Sequence, residues 1–143
     1  MSYESLSDGG FATGTMLGSG GFIVMDETAC IVRNLWTFAR FYHHESCGQC
    51  SPCREGTGWM EKVLHRIEHG HGHMDDIDLL VDVAKKIEGN TICPLGDAAA
   101  WPVASAIRHF REEFEYHVKY PEKVKNPKHF EIEPMEAAMA TAR

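Results

Sequence analysis

Three cysteines separated by two residues each, Cys47, Cys50 and Cys53 in "ESCGQCSPCREG" (Glu45 to Gly56), restrict what this chain can become more than any other feature. A 4Fe–4S cube needs four thiolates on four irons, and a compact loop with two-residue spacers can wrap three of those corners. The fourth must then come from elsewhere. Cys93, followed by Pro94, fits that role, because a cysteine before a proline also closes the cluster-binding run of bacterial ferredoxins. Gly48 and Pro52 allow the loop to turn sharply. Tetrahedral zinc also accepts four cysteines, but zinc sites usually come as two C-x2-C pairs rather than three cysteines plus one. Spacing therefore ranks an iron–sulfur cluster first, zinc second and metal-free thiols third, and all three readings stay open. The fifth cysteine, Cys30, falls on the predicted first helix and reads as a small buried hydrophobe outside the site.

Charge and composition narrow the classes further. A formal net charge of −7 argues against a nucleic-acid or anionic-membrane surface, since both want clustered Lys and Arg. No stretch approaches the roughly 20 apolar residues that span a bilayer. The N-terminus, MSYESLSDGG, lacks the basic and apolar regions of a signal peptide. Five cysteines without a secretory signal read as metal ligands rather than a disulfide framework, so a soluble, intracellular protein is expected. Its 143 residues suit one modest domain.

Three parts follow along the chain. Residues 1–28 are glycine-rich and end in the strand-like run Phe22-Ile23-Val24-Met25, which cannot form a sheet alone. About 27–118 reads as four amphipathic helices, hence a mainly α four-helix bundle. The first carries Ile31, Leu35, Phe38, Ala39 and Tyr42. Trp59, Val63, Leu64 and Ile67 form the second stripe, and Ile77, Leu80, Val81, Ala84 and Ile87 the third. Asp75 and Asp76 favour the start of the third helix, and Gly89-Asn90 stops it. The fourth covers about 98–118, with Pro102 near its first turn and Val103, Ile107, Phe110 and Phe114 on its core face. Residues 119–143, with Pro121, Pro127 and Pro134, read as an extended tail.

The other motifs point to no chemistry of their own. "HGHGH" (His69 to His73) reads as a solvated loop before a metal site, because a flexible glycine-rich loop is poorly preorganised. His43 and His44 either tune a nearby cluster or cap a helix end. Arg54 and Glu55 either stabilise a reduced cluster or are ordinary first-turn charges. "REEFEYH" (Arg111 to His117) reads as a solvated helix face with i,i+4 pairs. The glycines of "GSGGF" precede a strand rather than follow one, which does not fit a dinucleotide fingerprint. No catalytic set stands out. Residues able to hold a redox centre, without a place for a substrate, point to a relay.

"MLGSGGFIVMDE" (Met16 to Glu27), "ESCGQCSPCREG" and "GNTICPLGDAAAWPVASAIRHFREEFE" (Gly89 to Glu115) together resemble the C-terminal third of the NADH-binding flavoprotein subunit of respiratory complex I, the 51 kDa or F subunit. The resemblance implies that Cys47, Cys50, Cys53 and Cys93 bind a 4Fe–4S cluster that takes electrons from FMN and passes them to the next iron–sulfur cluster. It implies residues 1–28 as the end of a ubiquitin-like domain, 29–118 as an iron–sulfur helical bundle and 119–143 as the tail. The FMN and NADH sites belong to an N-terminal domain of the family that this sequence lacks, so the chain alone is expected not to oxidise NADH. Implied partners are that domain and the 24 kDa-like and large iron–sulfur subunits of the peripheral arm, with no nucleic acid and no membrane insertion. The implied location is peripheral, on the cytoplasmic face of a bacterial membrane or the matrix face of the mitochondrial inner membrane. Two alternatives stand beside this: the diaphorase subunit of an NAD-reducing hydrogenase or formate dehydrogenase, which shares these motifs, and a structural four-cysteine zinc module.

Overall fold

The amphipathic stripes close into an all-helical bundle in the computed structural model, which describes residues 23–26 and 28–124. The helices are α1 (Ile31–Glu45), α2 (Ser51–Glu68), α3 (Met74–Ile87), α4 (Leu95–Lys119) and the single turn α5 (Pro121–Val124). Among the described residues there is no strand. Short connections make successive helices antiparallel neighbours. α1 lies along α2, α3 along α4, and α2 and α4 also meet across the middle.

One contiguous core holds all four long helices together. Val32, Met60, Leu64, Ile67, Ile77, Leu80, Ile87, Val103 and Phe114 are fully buried within it. The stripes are those the periodicity predicts, rotated slightly. Trp59 lies at the edge of its stripe and is 57% exposed, and Met60, one residue on, takes the core position. Val83 replaces Val81 in the same way, and Val32 joins Leu35 and Ala39 on α1.

α4 departs most from expectation. It begins at Leu95, so Pro102 lies inside the helix rather than in its first turn. Phe110 has non-helical backbone angles (φ −130°, ψ 28°) where the helix kinks, and its ring is 47% exposed instead of core. Cys30 is buried as expected, but it is the N-cap of α1 rather than a helical residue. α3 starts as its carboxylates predict: Asp76 accepts the His73 N–H at 2.8 Å and is held by Arg66 Nε at 3.0 Å.

Residues 23–26, which include Ile23, Val24 and Met25 of the strand-like run, are irregular, and these three side chains are exposed. Phe22 and the "GSGGF" glycines lie outside the described residues. So does the tail beyond 124, whereas its start, 121–124, forms one helical turn.

One close contact between helices is made by a residue with no side chain. A Cβ on Gly56 of α2 would stand 2.6 Å from Ile87 Cδ1 of α3, closer than packed atoms approach. Gly56→Ala is expected to destabilise the fold by about 1–3 kcal/mol through overpacking, and Phe114→Ala by about 3–5 kcal/mol through cavity formation. Denaturant unfolding measures both. A Gly56→Ala variant as stable as its parent would show that α2 and α3 are not pressed together there.

Candidate metal centre

The cysteine loop hangs between α1 and α2, and each of its thiols has a different setting. Cys47 is exposed on the loop, Cys50 is the half-buried N-cap of α2, and Cys53 is buried in that helix's first turn. Pro52 occupies the first turn as well, where a missing N–H costs nothing. The Cys50 side chain makes no capping bond to its own helix. Its sulfur instead receives the backbone N–H of Ile92, at 3.4 Å.

That one hydrogen bond joins two loops far apart in sequence. Ile92 lies in the turn between α3 and α4, next to the exposed Cys93. The structure therefore brings the turn that carries Cys93 against the Cys50 loop. On the other side of the loop, Ser46 Oγ lies 3.2 Å from Cys53 Sγ and also accepts the Gly48 N–H at 3.3 Å. Amide and hydroxyl groups around sulfur are the contacts that tune an iron–sulfur centre.

The thiols are spread more widely than one ion would hold them. Among the described residues, no three of these four cysteines have sulfur atoms all within 4.8 Å of one another. Four thiolates on one zinc at about 2.3 Å stand within roughly 3.8 Å of each other. Four corners of an iron cube are further apart, and a soft, all-thiol donor set suits a cluster of that size.

Other charges near the loop have structural roles. Arg54 Nη1 donates to the Gly48 carbonyl at 2.9 Å and its Nε to Glu55 at 2.9 Å, so Arg54 fastens the loop to α2. His43 pairs with Glu61 and its ring stands against Gly58, while His44 pairs with Glu45. The "HGHGH" residues connect α2 to α3: His69 caps α2, stacks on His65 at 3.9 Å, and is exposed. Ser46, the reach of Arg54 to Gly48 and the Ile92 amide escape sequence reasoning, because none of them forms a recognisable spacing.

Residues 33–117 match the family described as the NADH-ubiquinone oxidoreductase-F iron-sulfur binding region. The chain belongs to that family. A 4Fe–4S cluster is the cofactor of this region, and the all-thiol donor set suits it. The chain is 50% identical over 115 residues to the F 1 subunit of the NADH-quinone oxidoreductase of Rhizobium meliloti, covering 80% of this chain and 26% of that one. It is 51% identical over 119 residues to the F subunit of the NADH-quinone oxidoreductase of Rickettsia felis, covering 83% of this chain and 27% of the relative. The chain thus spans about a quarter of the length of the relatives it matches. A solved NAD+-reducing [NiFe]-hydrogenase, in its H2-reduced state, superposes with a TM-score of 0.63 at 31% identity over 84% of this chain and 20% of that one. Among the described residues, no helix is long and apolar enough to cross a membrane.

Gly48 has a positive φ of +78°, yet the nearest atom to an added Cβ, Arg54 Cδ, is 3.6 Å away. The space is there; the backbone angle is what a side chain resists. Gly48→Ala is expected to cost about 1–2 kcal/mol, and Arg54→Ala to loosen the loop without unfolding the bundle. Amide hydrogen exchange separates the two effects, and unchanged exchange at residues 47–50 in Arg54→Ala would show that the arginine does not hold the loop.

Proposed function

We propose that Cys47, Cys50, Cys53 and Cys93 hold one 4Fe–4S cluster, and that the chain is the electron-relay element of an NADH:quinone oxidoreductase. The observation that carries this reading is the Ile92 amide on the Cys50 sulfur, which draws the two cysteine loops together in a chain of the iron–sulfur family. When bound, the cluster takes up and releases one electron, received from FMN and handed to the next iron–sulfur centre.

The chain's own residues prepare that place in three ways. α2 and α4 both begin at the thiols, so their positive N-terminal ends favour negative charge there. The Ile92 N–H and the Ser46 hydroxyl stand on two of the four sulfurs. Burial of Cys53 keeps one side of the site dry, and exposure of Cys47 and Cys93 leaves the other open towards a partner surface.

In this reading residues 29–118 are the working bundle, 1–28 the end of a ubiquitin-like domain, and 119–143 a tail. The exposed Ile23, Val24 and Met25 suit a strand whose sheet is completed elsewhere. An FMN- and NADH-binding domain and the 24 kDa-like and large iron–sulfur subunits are its partners, in a peripheral position on the cytoplasmic or matrix face. The hydrogenase likeness supports a second assignment, the diaphorase subunit of an NAD-reducing hydrogenase, with the same residues in the same role. The partners that copurify with the chain distinguish the two.

Iron and acid-labile sulfide on anaerobically purified protein test the cluster: about four of each per chain are expected, with an EPR signal after dithionite reduction. Cys93→Ser should lose or alter that signal. About one zinc and no iron would overturn the relay in favour of a structural module. Ser46→Ala removes a donor to a cluster thiolate, so the midpoint potential is expected to fall, by on the order of tens of mV. An unchanged or higher potential would show that the Ser46 hydroxyl does not donate to the Cys53 sulfur.

A further inference from the structure

The end of the bundle opposite the cysteine loops holds a second group of metal-type ligands. Cys30, the N-cap of α1, and Glu113 and His117 of α4 bring a sulfur, a carboxylate oxygen and an imidazole nitrogen all within 4.8 Å of one another. Cys30 is 5% and His117 2% exposed. Cys30 Sγ and His117 Nε2 are 3.3 Å apart. By sequence alone Cys30 belongs among the apolar residues and Glu113 and His117 on a solvated face; α4 turns both inward instead.

Each of the three is oriented by a further contact. Glu113 Oε1 accepts the Ile31 N–H at 2.8 Å, and the Cys30 sulfur receives the Arg33 N–H at 3.4 Å. Behind the histidine, Glu68 Oε2 of α2 lies 3.5 Å from His117 Nδ1, and neither atom has a hydrogen-bond partner. The other oxygen of Glu68 is held by Arg33 Nε at 3.2 Å. A closed polar network would leave no such orphans, since buried polar atoms in native cores are nearly always paired.

We propose that Cys30, Glu113 and His117 form a second metal site, for one divalent cation of the zinc type. Zinc bonds of about 2.3 Å to sulfur and 2.0–2.2 Å to nitrogen and oxygen set neighbouring tetrahedral donors roughly 3.3–3.7 Å apart. A sulfur–nitrogen pair falls at about 3.5 Å in that range, and the observed 3.3 Å lies within about 0.3 Å of it. A mixed thiolate, imidazole and carboxylate set suits zinc and excludes magnesium and calcium, which want oxygen alone. Ligation through Nε2 fixes the proton on Nδ1, where Glu68 stands to accept it, the usual arrangement behind a metal-bound histidine. That closes both orphaned atoms.

Charge agrees with geometry. A divalent cation with one thiolate, the carboxylates of Glu68 and Glu113 and the guanidinium of Arg33 leaves the buried group neutral. Burial pushes the free Cys30 thiol up to about 12 and the His117 imidazole down to about 4. The histidine is thus ready to ligate as it stands, while the thiol gives up its proton to solvent as the sulfur–metal bond forms. The site rests on residues that take no part in the iron–sulfur reading, so either can fail without the other.

Cobalt(II) is the direct probe, in a variant of this 143-residue chain with Cys47, Cys50, Cys53 and Cys93 all replaced by alanine, which leaves Cys30 as its single thiol. One cobalt per chain is expected, with a sulfur-to-cobalt charge-transfer band that disappears when Cys30→Ser is added. Glu68→Gln should keep the band and weaken binding by roughly 10–100-fold. Cobalt bound without the band, as the exposed histidines of the α2–α3 turn would give, overturns the proposal. Should circular dichroism show that this variant is unfolded, the iron-loaded parent exposed to zinc and then desalted decides instead. One zinc per chain that is absent from Cys30→Ser supports the site, and no retained zinc, or zinc retained equally by both proteins, refutes it.

Discussion

Close packing of α2 against its neighbours is the constraint on which the rest of this structure depends. Immediately after the last cysteine of its loop, the helix presents Gly56, Thr57, Gly58 and Met60, all buried. Without side chains at 56 and 58, Ile87 of α3 and His43 of α1 can approach the α2 backbone directly. Thr57, in turn, bonds back to the Cys53 carbonyl at 2.8 Å and so keeps its hydroxyl satisfied inside the core. The same contact that seals the core fixes the end of α3 beside the start of α2. Only four residues separate Ile87 from Ile92, so the turn that follows has little choice but to pass the Cys50 sulfur. Packing places the two cysteine-bearing loops side by side; they need not find one another across a flexible loop.

This is why the C-x2-C-x2-C spacing and a single distant cysteine already point to two loops that the fold brings together. Spacing states which thiols can share a centre, and helix periodicity states which ends of which helices carry them. The bundle itself is legible for the same reason, since each stripe repeats every three to four residues over two turns or more. Legibility ends where a residue's neighbour is set by tertiary contact. Trp59 and Phe110 look like core by periodicity, yet α2 rotates so that Met60 is buried in place of Trp59, and α4 kinks so that Phe110 is exposed while Phe114 is buried as expected. Pro102 suggests a helix start, but α4 runs through it, because the local loss of one backbone bond is outweighed by burial of Ala99, Ala100 and Val103 around it.

Polar residues are the hardest to read, and for a related reason. Glu113 and His117 sit in a charged run whose i,i+4 spacing matches a solvated face, and Arg111 and Glu115 do behave that way. The difference between the two pairs is an offset of two residues, about 200° of helix rotation, which puts them on opposite faces. It becomes visible only when Cys30 and Glu68 are seen on the facing helices. Cys30 is similarly readable as a buried residue but not as a member of a cluster, because its companions arrive from two other helices.

The up-and-down order of the helices sorts charge between the two ends of the bundle. Cys53 and Glu68 lie fifteen residues apart on α2, about 22 Å at 1.5 Å per residue. At the cysteine end the N-termini of α2 and α4 favour negative charge, but the C-termini of α1 and α3 arrive there too and oppose it. Those two C-terminal turns carry His43, His44, Lys85 and Lys86, cationic or ionisable side chains that offset the opposing ends. A thiolate-bound iron centre is anionic, and an end built from two open helix N-termini and two basic last turns is a place where added negative charge is held rather than repelled. Two helices, α2 and α3, separate the Cys47–Cys53 loop from Cys93, and it is this out-and-back pair that returns the Cys93 turn to the Cys50 loop; one helix fewer between them would leave it at the opposite end.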